Sequence, residues 1–417
     1  MKERIEWKEN TLPKVKSENR LDFLSKEEIE KTKQFHSSFP QYKETPLVNL
    51  DNLSKKIGVG GIYIKDESYR FGLNAFKVLG GSFAMAKYLA QKLGKDISEL
   101  PYERLISDEV RDELGDITFV TATDGNHGRG VAWTANKLKQ KSVVYMPKGS
   151  SQIRLENIRK EGADASITDM NYDEAVRLAA KYASEHNGVV IQDTAWEGYE
   201  DIPAWIMQGY GTMGLEALNQ LKDFGVERPT HIFIQAGVGS LAGAIQGFFA
   251  SVYKENCPIT TIVEASEAAC IYKSAVANDG NLRIVDGDMP TIMAGLACGE
   301  ANIIGWDVLK NCSSMFVSAP DYISANGMRI LGNPINEDKK VVSGESGAVT
   351  LGLLYEIMTN NEYLELKEKL GLDENSKILL FSTEGDTDPD NSSSKITTLA
   401  LNFCLNWAIS RTFPLPI

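Results

Sequence analysis

From about residue 116 onward the chain alternates short β-branched runs with amphipathic helical stretches, a pattern that fits a parallel sheet carrying helices on its faces and few other architectures. The spacing predicts strands over 117–122, 142–146, 189–192, 231–235, 260–264, 315–318 and 378–381, with helices over 128–138, 172–186, 205–221, 240–253, 322–331 and 348–358. No internal repeat, low-complexity tract or Gly/Ser linker separates these elements, so the two lobes expected of 417 residues are crossed by the chain more than once. The charged stretch 95–116 has weak periodicity and reads as a surface insertion.

Charge narrows the partners. Against 44 Lys and Arg stand 57 Asp and Glu, a net charge of −13 with no long basic run, so the footprint of a nucleic-acid or anionic-membrane binder is missing and small molecules are the expected partners. The five cysteines, Cys257, Cys270, Cys298, Cys312 and Cys404, form no C-x-x-C pair and no His stands at ligand spacing, so no metal site is expected. Sparse cysteines suit a reducing cytoplasm, although a pairing such as Cys270 with Cys298 stays open. The N-terminus is polar and charged, unlike an apolar signal segment, and no apolar run is long enough to span a bilayer.

Five motifs carry chemistry. FGLNAFKVLGG, at 71–81, puts Lys77 between Phe76 and Val78 where a loop enters a helix, and partial desolvation there lowers a lysine toward its neutral amine. TATDGNHGRG, at 121–130, follows a strand and opens a helix, aiming backbone N–H groups and the side chains of Asp124 and Asn126 into one crevice. QAGVGSLAGA, at 235–244, also joins strand to helix, and its glycines let successive N–H groups approach a phosphate. Gly237, Gly239 and Ala242 equally fit a dinucleotide fingerprint with Glu264 as the ribose-holding acid, so this loop alone leaves a nicotinamide-dependent oxidoreductase open. VSGESGA and FSTEGDTD, at 342–348 and 381–388, add small and hydroxyl residues at further element ends.

Taken in order, NAFKVLGG, TDGNHGRG, QAGVGSLAGA, SGESGA and STEGD resemble the fold type II pyridoxal-phosphate enzymes, the family of threonine dehydratase, serine racemase and the tryptophan synthase β subunit. The resemblance runs from about residue 47 to 401. The longer strings FGLNAFKVLGGSFAMAKYL, QDTAWEGYEDIPAWIMQGYGTM and TIMAGLACGE are similar to the diaminopropionate ammonia-lyases within that family. It implies an α/β protein of two lobes, each with a mainly parallel twisted sheet flanked by helices. The large domain is expected to join 1–85 to 190–417, and a small domain of 86–189 to carry the Asn126 loop. It also implies pyridoxal 5′-phosphate as cofactor and a homodimer. Lys77, beside Phe76, would form the Schiff base, and Asn126 would hydrogen-bond the ring hydroxyl. The loop from Gly237 through Val238, Gly239 and Ser240 to Gly243 would cradle the phosphate, and Thr383 or its neighbour Ser382 would face the pyridine nitrogen. A neutral hydroxyl there favours β-elimination over transamination.

One departure from the dehydratases bears on the substrate: they carry serine where this chain has Asp124. Ammonia leaves well only from a protonated amine, so a β-ammonium substrate needs a negative partner, and Asp124 supplies one. The expected reaction is elimination of ammonia from 2,3-diaminopropionate, giving pyruvate and two ammonia. Serine or threonine ammonia-lyase is the alternative with the same chemistry, and a non-catalytic cofactor carrier the alternative without it. Lys77 is the expected base for the α-proton, and Asp124 a second base for the opposite enantiomer. Asp193, in IQDTAWEGY, is a further candidate catalytic carboxylate at the substrate entrance, while His127 reads as structural.

Overall fold

The computed structural model describes residues 4–14, 20–123 and 125–387. Strands β1 (Glu6–Glu9), β2 (Leu47–Asn49), β3 (Gly61–Asp66), β8 (His231–Gln235), β9 (Ile259–Ala265), β10 (Met315–Ala319) and β11 (Lys377–Ser382) form a seven-stranded sheet in the order β1-β10-β9-β8-β11-β3-β2. Its two edge strands pair antiparallel and the five between them run parallel. Between β3 and β8 in the chain come β4 (Thr118–Ala122), β5 (Lys141–Met146), β6 (Asp164–Ile167) and β7 (Val189–Val190), a second, wholly parallel sheet of four in the order β6-β5-β4-β7. The central strands are buried along their whole length, as HIFIQ in β8 and MFVSA in β10 show, because helices cover both faces of a parallel sheet.

Small residues set how closely the helices approach the site. A Cβ on Gly80, in the helix Val78–Lys92, would stand 2.6 Å from both Ile206 Cγ2 and Tyr210 Cε1 of the helix Asp201–Leu221. On the other side a Cβ on Gly130, in the helix Asn126–Lys137, would meet Val78 Cα at 2.8 Å. Gly80 and Gly130 therefore seat the helix that follows Lys77 between the helices Asp201–Leu221 and Asn126–Lys137.

Two expectations change. The stretch 95–116 is not a bare surface insertion: it forms the short helices Ile97–Glu99, Tyr102–Leu105 and Asp108–Leu114, which bury Ile97, Leu105 and Val110 in the main core. The strand expected over 189–192 ends at Val190 because Gln192 uses its side chain in place of the ladder. Its Oε1 accepts from Thr121 Oγ1 at 2.9 Å and from Ala122 N at 3.1 Å. Cys257, Cys270, Cys298 and Cys312 are all free thiols, so the Cys270–Cys298 pairing is not formed; Cys404 lies outside the described residues.

Candidate active site

Strands β4, β8 and β11 all direct their carboxyl ends toward one cavity of about 700 Å³, where open α/β sheets hold their ligands. Its wall includes Phe76, Lys77, Asn126, Asp193, the loop 237–241 and Thr383. Lys77 immediately precedes the helix Val78–Lys92, and its Nζ donates to Asp193 Oδ2 at 2.6 Å. Asp193 is 2% exposed, not an exposed strand-end residue. The Tyr210 hydroxyl donates to the same oxygen at 3.4 Å, and its ring packs 4.7 Å from that of Phe76. Burial pushes the Asp193 carboxyl up, but the Lys77 ammonium, His127 and the Lys77 hydrogen bond outweigh it and hold the group at about 2.

That shift has a consequence for stability. A carboxyl lowered from 3.8 to about 2 stabilises the fold above its unfolded value, and the contribution disappears as pH falls through that interval. Asp193→Asn is therefore expected to flatten the acid limb of stability between those values, measured by urea unfolding. It is also expected to lower kcat/KM by about ten- to a hundredfold, the worth of a charge-assisted hydrogen bond to the base.

The loop between β8 and the helix Ser240–Tyr253 presents a second kind of chemistry. Gly239 sits at φ +93°, a left-handed conformation that a Cβ disfavours, and joins the cavity-lining residues Gly237 and Val238 to the helix start, where backbone N–H groups lack intrahelical acceptors. No acidic side chain occupies that first turn. Ser240 Oγ donates to the Asp193 carbonyl and accepts from Asn302 Nδ2 at 2.7 Å, so the loop and Asp193 are held together by buried Asn302. Such a nest at a helix N-terminus fits a phosphate.

Thr383 reaches the cavity wall, where its Oγ1 accepts from Gln235 Nε2 at 2.8 Å. Ser382 ends β11, is 1% exposed and lies off the wall. Gly243 is likewise off the wall: it belongs to the helix body, where a Cβ would stand 2.9 Å from Gly305 Cα. Helix packing explains that glycine, whereas Gly237, Val238, Gly239 and Ser240 line the cavity. His127 is buried with Nε2 2.8 Å from the Ile191 carbonyl oxygen. Asp124 lies outside the described residues.

The dinucleotide alternative loses its acid. Glu264 accepts from Ile271 N at 2.9 Å and Tyr272 N at 2.6 Å, capping the helix Cys270–Ala277, and lies off the cavity wall. Burial pushes this carboxyl up to about 8, against the pull of those two N–H groups. Sequence reasoning singled out none of Tyr210, Asn302 and Glu384: Tyr210 and Glu384 lie inside the strings QDTAWEGYEDIPAWIMQGYGTM and STEGD, and Asn302 stands in an ordinary helix-start pattern that carries no motif.

Residues 39–383 match the family described as pyridoxal-phosphate dependent enzyme. The chain belongs to that family. A diaminopropionate ammonia-lyase of Salmonella typhimurium is 55% identical over 85% of this chain and 88% of its own length. The crystal structure of the selenomethionine-incorporated holo diaminopropionate ammonia-lyase from Escherichia coli superposes with a TM-score of 0.87 at 46% identity, covering 94% of this chain and 96% of that one. The same Escherichia coli enzyme in complex with an aminoacrylate-PLP azomethine reaction intermediate superposes with a TM-score of 0.85 at 44% identity, over 94% and 97% of the two chains. As a pyridoxal-phosphate-dependent enzyme the protein takes pyridoxal 5′-phosphate, and its residues fit it: a lysine beside a buried carboxylate, a glycine loop at a helix start for the phosphate, and hydroxyl and amide groups on the same wall. Among the described residues no helix is long and apolar enough to cross a membrane, and no His, Cys, Asp and Glu cluster could hold a metal ion.

Proposed function

We propose that the protein eliminates ammonia from 2,3-diaminopropionate, giving pyruvate and a second ammonia after hydrolysis. One observation carries the chemistry: Lys77, on the cavity wall, is held at 2.6 Å by a buried carboxylate, and the glycine loop 237–240 lines the same cavity. Pyridoxal phosphate supplies the electron sink for the bond broken at the substrate's α-carbon. Lys77 takes the α-proton, and Asp193 keeps its amine aimed at that carbon. Phe76 and Tyr210 present ring faces that exclude water beside it. Gly237, Val238, Gly239 and Ser240 would hold the phosphate by their N–H groups, Thr383 would serve the ring nitrogen, and Asn126 the ring oxygen.

The diamine is favoured over serine by charge. Leaving a β-ammonium unpaired in a closed site costs several kcal/mol, on the order of 3–5, and Asp124 is the partner the sequence provides. Its second role, as base for one enantiomer, belongs to the same proposal, as do the homodimer and the division into 1–85 with 190–417 and 86–189. The second sheet supports that division, since β4 through β7 run from 118 to 190. Pyruvate measured from each enantiomer of 2,3-diaminopropionate, beside D- and L-serine, tests the reading. The diamine is expected to be the better substrate in at least one enantiomer, with Asp124→Asn hurting one enantiomer far more than the other. Turnover of serine with none of either diamine would assign the site to a serine ammonia-lyase instead.

A further inference from the structure

Glu384 is a carboxylate on the cavity wall with no part in the reaction as described above. It is 6% exposed, and its Oε2 accepts a hydrogen bond from Asn126 Nδ2. Asn126 opens the helix that follows β4 of the four-stranded sheet, whereas Glu384 follows β11 of the seven-stranded sheet, so this bond crosses the cavity from one sheet to the other.

The Glu384 end of the bond is anchored to the loop that carries Lys77. Glu384 forms an isolated bridge with Ala75, Phe76 N donates to the Thr383 carbonyl at 3.0 Å, and Gly385 N donates to the Asn74 carbonyl at 3.0 Å. From a third side Gly344 N donates to the Glu384 carbonyl at 2.8 Å. Backbone hydrogen bonds on either side of Glu384 therefore tie the glutamate to the lysine loop.

A carboxylate only accepts hydrogen bonds, while an asparagine amide has one accepting and one donating end. Glu384 thus selects one of the two orientations of the Asn126 amide, with the NH₂ turned toward it, and leaves that nitrogen a second N–H. A glutamine at 384 would accept from one orientation and donate to the other, and the selection would be lost.

We infer that Glu384 is a positioning residue that fixes the Asn126 amide, and with it the contact Asn126 makes to the cofactor, in register with the Lys77 loop. This rests on the reading above that Asn126 touches the cofactor. The contact also polarises the amide, because a donor bonded to an anion is a stronger partner than one bonded to a neutral group.

Full-length wild type, Glu384→Gln, Asn126→Ala and the double variant, titrated with pyridoxal phosphate and followed by the visible absorption of the bound form, test the inference. Each single change is expected to weaken cofactor affinity by about tenfold, and the double variant is expected to bind no more weakly than Asn126→Ala alone. In the holoenzymes the pH midpoint of the visible band is expected to move in Glu384→Gln, a change that loss of mere packing would not produce. Losses that multiply in the double variant, or a Glu384→Gln protein with wild-type affinity and midpoint, would overturn it. Wild-type affinity in Asn126→Ala would instead remove the Asn126 reading beneath it, and the inference with it. Thermal melts without cofactor, equal across the four proteins, separate these outcomes from a folding defect.

Discussion

Lys77→Ala is expected to slow pyruvate formation by about 10⁴-fold while the protein stays folded. The side chain is the proposed Schiff-base lysine and base, so truncation removes the covalent attachment and the proton acceptor together. It costs the stability that the Lys77–Asp193 pair supplies but leaves the packing of the helix in place. Lys77 makes no side-chain cap on the helix it precedes, and that helix is held by Gly80 against Tyr210 and by Val78 against Gly130. Asp193 meanwhile loses the ammonium that does most to lower it, and its carboxyl rises from about 2 toward the ordinary range. A stopped assay for pyruvate, with a thermal melt alongside, reads both halves of the expectation. A rate within tenfold of wild type would put the base elsewhere.

The largest expected effect on stability lies in the segment leading to Lys77. Arg70 is wholly buried and donates to Glu67 Oε2 at 2.8 Å from Nε and to Glu216 Oε2 at 2.7 Å from Nη2. Lys65 Nζ stands 2.6 Å from the same Glu216 oxygen, and Tyr42 donates to its other oxygen at 2.6 Å. The two cations and two carboxylates balance, and Arg70→Met leaves the carboxylates in excess, which is expected to cost about 3–5 kcal/mol at pH 7.

The pH dependence follows from the same charges. Burial raises the Glu216 carboxyl, but Arg70 and Lys65 together hold it well below its usual 4.5. In the wild type its contribution is therefore present above that value and fades only as pH falls below it. Without Arg70 the carboxyl rises, protonates earlier, and the imbalance disappears, so the deficit of the variant should shrink in acid. Urea unfolding of both proteins at pH 7 and near pH 4.5 checks this. A deficit under about 1 kcal/mol, or one that grows in acid, would mean the cluster does not hold this segment.

How far the sequence reveals this architecture depends on what each element buries. His231–Gln235 and Ser240–Tyr253 have the boundaries their periodicity predicts, because one is apolar on both faces and the other begins at a glycine-rich turn. The strands Glu6–Glu9 and Leu47–Asn49 are short antiparallel edges whose pairing is decided by β10 and β3, and nothing local announces them. Within the site, Lys77, Asn126 and the glycine loop stand in compact motifs. The ionic grip of Asp193 on Lys77 joins residues 116 positions apart, and the bond from Asn126 to Glu384 joins residues 258 apart. Distances of that kind are products of the folded chain. Gly243 and Glu264 show the converse, since each fits a loop or strand pattern while packing and helix capping account for it in the structure.

Borohydride reduction of the holoenzyme, followed by peptide mass mapping, tests the central claim most directly. A stable pyridoxyl-phosphate adduct is expected on the peptide containing Lys77 and on no other lysine, absent from Lys77→Ala. A reduced adduct elsewhere, or an unmodified Lys77 in protein that carries the cofactor, would contradict it.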